Sequence, residues 1–261
     1  MNRSRFLPLF ATAGLLAAAG LIAQNSPVVS TPPSVVTVGT GFDYSRGDYS
    51  LGTDTEVLSV PLTLSYEKGS WLFDARVPWM RIEGPAAVVA GGGSPPRPTA
   101  AAESGLGDIT LGATWRSQRG PDATNFATTV RTKLPTASEE RGLGTGEADY
   151  SGQVDVYRSF GRVTPFASVG YTAFGDSALY QLEDGAYASG GAHLRTGAST
   201  VVTAAYSWRH RFIAGGDHAS DALLAVTHDL SPRWRLMGYA TKGFSNASPD
   251  HGGGLQLSRR F

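Results

Sequence analysis

Residues 58–66 read Leu-Ser-Val-Pro-Leu-Thr-Leu-Ser-Tyr, and residues 71–80 read Trp-Leu-Phe-Asp-Ala-Arg-Val-Pro-Trp-Met. In each stretch one set of alternate positions is apolar, and the other set carries most of the polar, charged and proline residues. An alternation of period two is typical of a β-strand with one apolar face. These two stretches therefore predict two neighbouring strands of a sheet.

The same alternation continues over most of the chain from Val35 to its end and predicts twelve strands. Most of them are 10 to 13 residues long, which exceeds the roughly five or six residues usual in soluble sheets and suits a tilted membrane crossing of about 9–11 residues. The predicted strands are 35–45, 57–66, 71–82, 107–117, 125–135, 150–160, 163–174, 186–195, 200–212, 221–230, 233–244 and 254–261.

The connections between these strands alternate in length without exception: 11, 4, 24, 7, 14, 2, 11, 4, 8, 2 and 9 residues. Transmembrane barrels have short turns on the periplasmic side and longer loops outside. We therefore predict an all-β, transmembrane, antiparallel up-and-down β-barrel with both chain ends in the periplasm and a flexible extracellular loop at 83–106. The alternative is a soluble β-sandwich, which would have no reason to order its connections in this way.

Tryptophan supports the membrane prediction. All five tryptophans fall on the apolar phase near strand ends, where the amphipathic ring of a membrane protein prefers the lipid–water interface. We therefore predict five interface anchors: Trp71, Trp79, Trp115, Trp208 and Trp234.

Composition and the N-terminal residues indicate export. Charged residues make up 17% of the chain, below the roughly 25% of an average soluble domain, and basic and acidic residues are equal at 22 each. Residues 1–23 have a basic start and an apolar stretch and are predicted to be a signal peptide cleaved after Ala23, although Gly20 also fits a cleavage site, with an N-terminal membrane anchor as the alternative. Residues 24–34 are predicted to be a periplasmic linker and 35–261 the barrel.

If the apolar phase faces lipid, the other phase faces the lumen. It holds ten basic and six acidic side chains, including Asp43, Asp221, Asp229, Arg116, Arg195, Arg233 and Arg260. Two interpretations stay open. One is a narrow pore biased toward anionic or polar-aromatic solutes, and the other is a tight interior bridged by Asp–Arg pairs. The pore-lining candidates are Asp74, Arg76, Asp108, Arg131, Lys133, Asp155, Arg209, Arg211 and Arg235.

Two other functions are possible for such a barrel. A lipid hydrolase or acyltransferase would need a base beside a serine, and His193 is the histidine on an inward strand phase, with Ser189 and Ser207 as candidate neighbours. A structural or surface-recognition barrel would use the loops 83–106 and 136–149. The absence of cysteine excludes a disulfide scaffold, a thiolate metal site and a cysteine nucleophile. His, Asp and Glu residues show no metal-ligand spacing.

Three stretches carry a family resemblance: Ser104-Gly-Leu-Gly-Asp-Ile-Thr-Leu-Gly-Ala-Thr-Trp115, Lys133-Leu-Pro-Thr136 and Gly142-Leu-Gly-Thr-Gly-Glu-Ala-Asp149. With them the chain resembles the outer-membrane family labelled "putative MetA-pathway of phenol degradation". The resemblance implies a porin-like channel for small aromatic or other poorly soluble molecules. The final Phe261 is similar to the C-terminal aromatic residue by which outer-membrane barrels are recognised for assembly. Leu255 and Leu257 share its phase, and Arg259 departs from the pattern.

Together these patterns predict a monomeric porin-like barrel in the outer membrane of a Gram-negative cell, mediating passive diffusion rather than catalysis. The expected partners are outer-membrane lipid, the barrel assembly machinery and a small-molecule solute. No cofactor and no nucleic acid are expected.

Overall fold

The computed structural model describes residues 34–87, 96–120, 122–177, 179–213 and 215–261. Within these ranges the chain forms thirteen strands and no helix. The described residues therefore contain no helix long and apolar enough to cross a membrane. The predicted signal peptide at 1–23 and nearly all of the linker at 24–34 lie outside the described residues. The strands are β1 Val35–Gly47, β2 Thr55–Lys68, β3 Trp71–Glu83, β4 Glu103–Leu106, β5 Ile109–Arg116, β6 Asn125–Leu134, β7 Asp149–Tyr157, β8 Val163–Ala173, β9 Gly185–Arg195, β10 Thr200–Arg209, β11 Ala219–Asp229, β12 Trp234–Gly243 and β13 His251–Arg260.

The strands form one closed antiparallel barrel. Consecutive strands pair with one another, except that β4 and β5 both pair with β3, and β13 returns to pair with β1 from Thr37↔Arg260 to Arg46↔His251. Because β1 also pairs with β2, and β2 with β3, the wall closes on itself, and among the described strands only β4 pairs on a single side. The predicted up-and-down barrel is therefore confirmed.

The predicted fourth strand is divided into β4 and β5, which both pair with β3 and together occupy one place in a twelve-stranded wall. The division falls at Gly107 and Asp108, where Gly107 N donates to Pro78 O at 2.9 Å. Pro78 has no N–H to return to the ladder, so regular pairing stops beside it.

Alternate residues point outward and inward as predicted. Leu62 and Leu64 on β2 are exposed on the outer face, whereas Thr63 and Ser65 between them are buried inside. A large set of aliphatic and aromatic side chains is exposed on the outer surface, as expected of a barrel whose outer face contacts lipid. The outer surface is therefore the apolar one.

The connections define two ends of the barrel. The turn end has the connections 69–70, 117–124, 158–162, 196–199 and 230–233, each shorter than the loop-end connections that flank it, together with both ends of the barrel segment. The loop end has the connections 48–54, 84–102, 135–148, 174–184, 210–218 and 244–250. The alternation in connection length that the sequence predicts is thus present in the structure.

Candidate functional site

The middle of the inner wall is organised around Asp43 on β1. Its carboxylate accepts a hydrogen bond from Arg76 at 2.7 Å, from the Tyr239 hydroxyl at 2.6 Å and from the Gln256 amide at 3.1 Å. Arg76 and Asp43 also form an ion pair in which both side chains are largely buried. These contacts connect β1 to β3, β12 and β13, so one carboxylate ties together four strands of the wall.

Other inward charges form pairs between adjacent strands or across one intervening strand. Towards the turn end, Arg116 pairs with Glu67 and Arg235 with Asp229, each at 2.7 Å. Arg131 lies 3.8 Å from Asp74 nearer the middle. Buried charges need such partners, because an isolated charge out of water is very costly.

At the loop end, the three stretches that carry the family resemblance meet at Lys133. Its ammonium lies 2.9 Å from Asp149 and 3.2 Å from Asp108, and it also donates to the Thr145 hydroxyl. On the same half of the barrel, Arg209 pairs with Asp221 at 2.7 Å. Asp108, Lys133 and Arg209 are thus among the predicted inward residues that the structure places on the inner wall.

A sector of the inner wall is apolar, and strand phase did not predict it. Tyr157, Phe166, Leu223 and Met237 pack with three buried alanines, and Tyr239 lies against them. The His193 ring stacks on Phe166 with ring centroids 4.8 Å apart. Phe166 stands on the inward phase of β8 between Thr164 and Ser168, and Leu223 and Met237 stand on the inward phases of β11 and β12. These apolar residues on an otherwise polar phase were the available sequence signal.

The charge of the inner wall differs from the prediction. Arg211 lies beyond β10, which ends at Arg209, and forms an exposed pair with Glu183; Arg195 and Arg233 are also exposed at the turn end. Glu67 and Asp149 are inside, just beyond the predicted strand ends. The inward-facing charges among the described residues are nine acids, Asp43, Glu67, Asp74, Glu103, Asp108, Asp149, Asp155, Asp221 and Asp229, and seven bases, Arg76, Arg116, Arg131, Lys133, Arg209, Arg235 and Arg260.

The predicted excess of four positive charges is therefore wrong, and so is its basis for an anion-biased pore. Burial also distinguishes the two interpretations of the interior. Asp155 and Gln256 are each 1% exposed, so neighbouring side chains cover them. This burial and the ion pairs of the inner wall favour the narrow, ion-paired interpretation.

The strand register keeps His193 apart from Ser189 and Ser207, the two candidate serines. His193 Nδ1 lies 2.9 Å from the Thr203 hydroxyl, and Ser207 donates to Asp221 at 3.0 Å. Ser189 and Ser207 pair with one another across β9 and β10, two alternate positions away from the His193↔Thr203 pair. Within the described ranges, no group of three or more His, Asp or Glu side chains could hold a metal ion.

Long loops close over part of the loop end. In the described part of 84–102, Arg97 is 8% exposed and donates to the main-chain oxygens of Gly84, Ala101 and Arg141 at 3.0–3.1 Å. Leu143 and Tyr180, from the two following loops, are also buried. We call these three loops, 84–102, 135–148 and 174–184, the loop cap. The predicted loop 83–106 is shorter in the structure, because Glu83 belongs to β3 and residues 103–106 form β4; residues 88–95 lie outside the described residues.

Burial shifts the ionisation of two side chains in the loop cap. It lowers the pKa of the Arg97 guanidinium from its ordinary value, although nearby Glu103 opposes the shift. It raises the pKa of the Tyr180 hydroxyl, and the negative charge of Glu139 adds to that rise. The cap therefore favours a neutral Tyr180.

A cavity of about 210 Å³ lies at the loop end beside the cap. Tyr49, His210 and Phe212 contribute rings to its lining, and Asp217 and Asn246 contribute polar groups. Tyr49 has a φ of 50° and its neighbour Ser50 a φ of 62°, a left-handed backbone that non-glycine residues rarely adopt. A dry cavity of about 150 Å³ is known to hold a benzene ring, so this space is large enough for a single-ring solute.

The predicted interface anchors lie at both ends of the outer surface. Trp71, Trp115 and Trp234 are at the turn end, where Trp71 and Trp115 face each other across β3 and β5. Trp79 and Trp208 lie towards the loop end. All five rings are 38–48% exposed, which is the placement expected of aromatic girdles.

Comparison with known proteins places the fold. The model of a family described as "Putative MetA-pathway of phenol degradation" matches residues 25–261. An outer membrane channel from Pseudomonas putida F1 superposes with a TM-score of 0.67 at 12% identity, covering 91% of this chain and 100% of the other. The translocator domain of the autotransporter NalP from Neisseria meningitidis superposes with a TM-score of 0.50 at 14% identity, covering 89% and 90%. A search of curated proteins found no significant match.

Proposed function

Because this chain belongs to the family described as "Putative MetA-pathway of phenol degradation", we propose that it is an outer-membrane channel through which small solutes diffuse passively. The observation that carries the proposal is the inner wall, which has ionic and polar side chains from the turn end to the loop end inside an apolar outer surface. A barrel with a purely structural role would not need so many buried charges, because apolar side chains could pack its interior equally well.

The side chains of the inner wall also support a proposal for the class of solute. Most of the wall's ionic groups are paired with one another, so they give no strong preference for a charged solute. Phe166 and Tyr157 lie in an apolar sector beside these pairs, and the cavity at the loop end has the size of one aromatic ring. We propose small, uncharged, amphipathic molecules, including monocyclic aromatic compounds, as the solutes.

The proposal also includes the orientation of the barrel in the outer membrane and its recognition for assembly. The turn end would face the periplasm and the loop cap the outside, as in other outer-membrane barrels. Leu255, Leu257 and Phe261 are exposed on the outer face of β13 and its end, where the barrel assembly machinery could recognise them. The proposed partners are therefore outer-membrane lipid, this machinery and the solute.

Planar-bilayer recording tests the channel. The purified protein should give small conductance steps, because the interior is narrow. The double variant Asp43→Ala/Arg76→Ala removes a pair from the middle of the wall without leaving a lone charge, and its steps should be several-fold larger. Glu83→Ala/Arg81→Ala removes an exposed pair at the loop end and should conduct like the wild type.

Two outcomes would contradict the channel. A barrel that conducts in neither the wild type nor the Asp43→Ala/Arg76→Ala variant would be a structural or surface-recognition protein that uses its loops. An increase of the same size in the Glu83→Ala/Arg81→Ala control would show that the Asp43 contacts do not restrict the path. A catalytic role is not proposed, because both candidate serines lie four residues along the paired strands from the His193↔Thr203 pair.

A further inference from the structure

The exposed charges of the barrel are divided between its ends. Among the described residues, the turn end exposes six bases, Lys68, Arg119, Arg158, Arg162, Arg195 and Arg233, against one acid, Asp122, and the chain-terminal carboxylate. The loop end exposes nine acids against five bases. The chain as a whole has equal numbers of acidic and basic residues, so the turn end is basic because of where its residues lie.

Arginines at the turn end lie against aromatic rings. The guanidinium carbon of Arg119 is 5.3 Å from the Phe126 ring centre, and that of Arg158 is 5.1 Å from the Phe160 ring centre. Aromatic rings in membrane proteins gather at the depth of the lipid headgroups. These contacts therefore hold positive charge at the depth where lipid phosphates lie.

Arg259 has the best-defined of these environments. Its guanidinium lies 5.5 Å from the Trp234 ring and 4.8 Å from the Phe261 ring, and its Nε is buried with no hydrogen-bond partner. It pairs in register with Val38 and Trp234 on the lipid-facing side. Stacking occupies the faces of the guanidinium and leaves N–H groups on its edge for an acceptor. At this lipid-facing position a lipid phosphate can supply that acceptor.

We propose that the turn end binds the phosphate groups of anionic phospholipids, with Arg259 between Trp234 and Phe261 as its principal site. Arginine donates to phosphate through a planar fork of N–H groups, and each basic side chain near an anionic bilayer surface adds to the attraction. The site also accounts for a basic residue at a position where the C-terminal assembly pattern has apolar ones. It is independent of whether the barrel conducts.

Native mass spectrometry of lipids retained by the full barrel tests the proposal. The protein is reconstituted in vesicles of equal parts phosphatidylglycerol and phosphatidylethanolamine, extracted in detergent, and the ratio of the two retained lipids is measured. Arg259→Gln should lower the phosphatidylglycerol ratio by about fivefold, the scale of one basic residue at an anionic surface. Arg81→Gln, an exposed arginine on the same outward phase at the opposite end, should leave the ratio unchanged.

Further measurements distinguish a phospholipid site from a site for a free anion and from a general loss of positive charge. An equal loss in Arg81→Gln, no loss in Arg259→Gln, or no preference for phosphatidylglycerol in the wild type would overturn the site. Displacement of the lipid by millimolar inorganic phosphate would show a site for the free anion and would also overturn it. If Arg259→Gln does not assemble, the wild-type ratio should still fall as NaCl rises, because salt screens exposed charges; a ratio that does not change with salt would refute the proposal.

Discussion

At the scale of the residue, the barrel depends on inward carboxylates that have several donors each. Asp43 is 4% exposed and receives hydrogen bonds from three strands other than its own. Removing one member of a buried ion pair leaves the other charge buried without its counter-ion, and this destabilises the fold more than removing both members. The single substitution at Asp43 should therefore lower the free energy of unfolding more than the double substitution at Asp43 and Arg76.

We expect Asp43→Ala to lower the free energy of unfolding by about 3–5 kcal/mol, because Arg76 would stay buried without this carboxylate. The double substitution Asp43→Ala/Arg76→Leu should recover part of that loss. Glu83→Ala, from the exposed pair with Arg81, should cost about 1 kcal/mol or less. Urea unfolding of the protein in lipid vesicles measures all three. A double variant less stable than Asp43→Ala would contradict the argument.

At the scale of the element, the loop cap combines three loops through a buried arginine and a buried tyrosine. Burial raises the Tyr180 pKa, so the neutral hydroxyl is favoured in the closed cap. The stabilisation is complete below the ordinary tyrosine value of about 10 and is lost as the pH rises from there through the raised pKa. We therefore expect the cap to loosen only above about pH 10.

Alkylation of Leu143→Cys by iodoacetamide measures this loosening, because the chain has no cysteine of its own and Leu143 is 1% exposed in the cap. The labelling rate should rise above pH 10 by more than thiol ionisation alone produces. In the Tyr180→Phe/Leu143→Cys protein this extra rise should be absent. Equal rates in both proteins across this pH range would mean that Tyr180 does not hold the cap.

The strands of the barrel were predictable because lipid and interior impose opposite requirements on alternate residues. The phase of Leu62 and Leu64 against Thr63 and Ser65 is therefore visible in the sequence. The ends of strands were less predictable. Both faces of the wall contact water there, so alternate positions no longer need to differ in polarity. Arg211 was placed inside because β10 was predicted to extend too far, and Glu67 was missed because β2 was predicted to end too soon.

The loop cap and the partners of each charge were not predictable in the same way. Arg97 is held by main-chain oxygens of Gly84, Ala101 and Arg141, and main-chain acceptors leave no trace in residue type. The choice of Asp43 as the partner of Arg76 depends on the stagger between strands, which the alternation does not contain. The meeting of the three family motifs at Lys133 depends on the same stagger.

At the scale of the whole molecule, the outer surface should be solvated by lipid, with its tryptophans near both bilayer surfaces. We expect lipids brominated near the headgroup to quench the fluorescence strongly, and lipids brominated at the chain ends to quench it much less, because Trp71, Trp79, Trp115, Trp208 and Trp234 lie near strand ends on the outer face. Fluorescence spectra of the protein in each vesicle measure the difference. A folded barrel that is monodisperse in plain buffer and unquenched by either lipid would not be a membrane protein.

The seam between β1 and β13 has a consequence for biogenesis. Asp43 is hydrogen-bonded to Tyr239 and Gln256, which lie 196 and 213 residues further along the chain, so these bonds can form only after the last strand has been synthesised. Until then the first strand has a free edge, which is prone to pair with other chains. Contacts so distant in sequence also slow folding. A nascent chain of this protein must therefore be kept from aggregating until translation is complete.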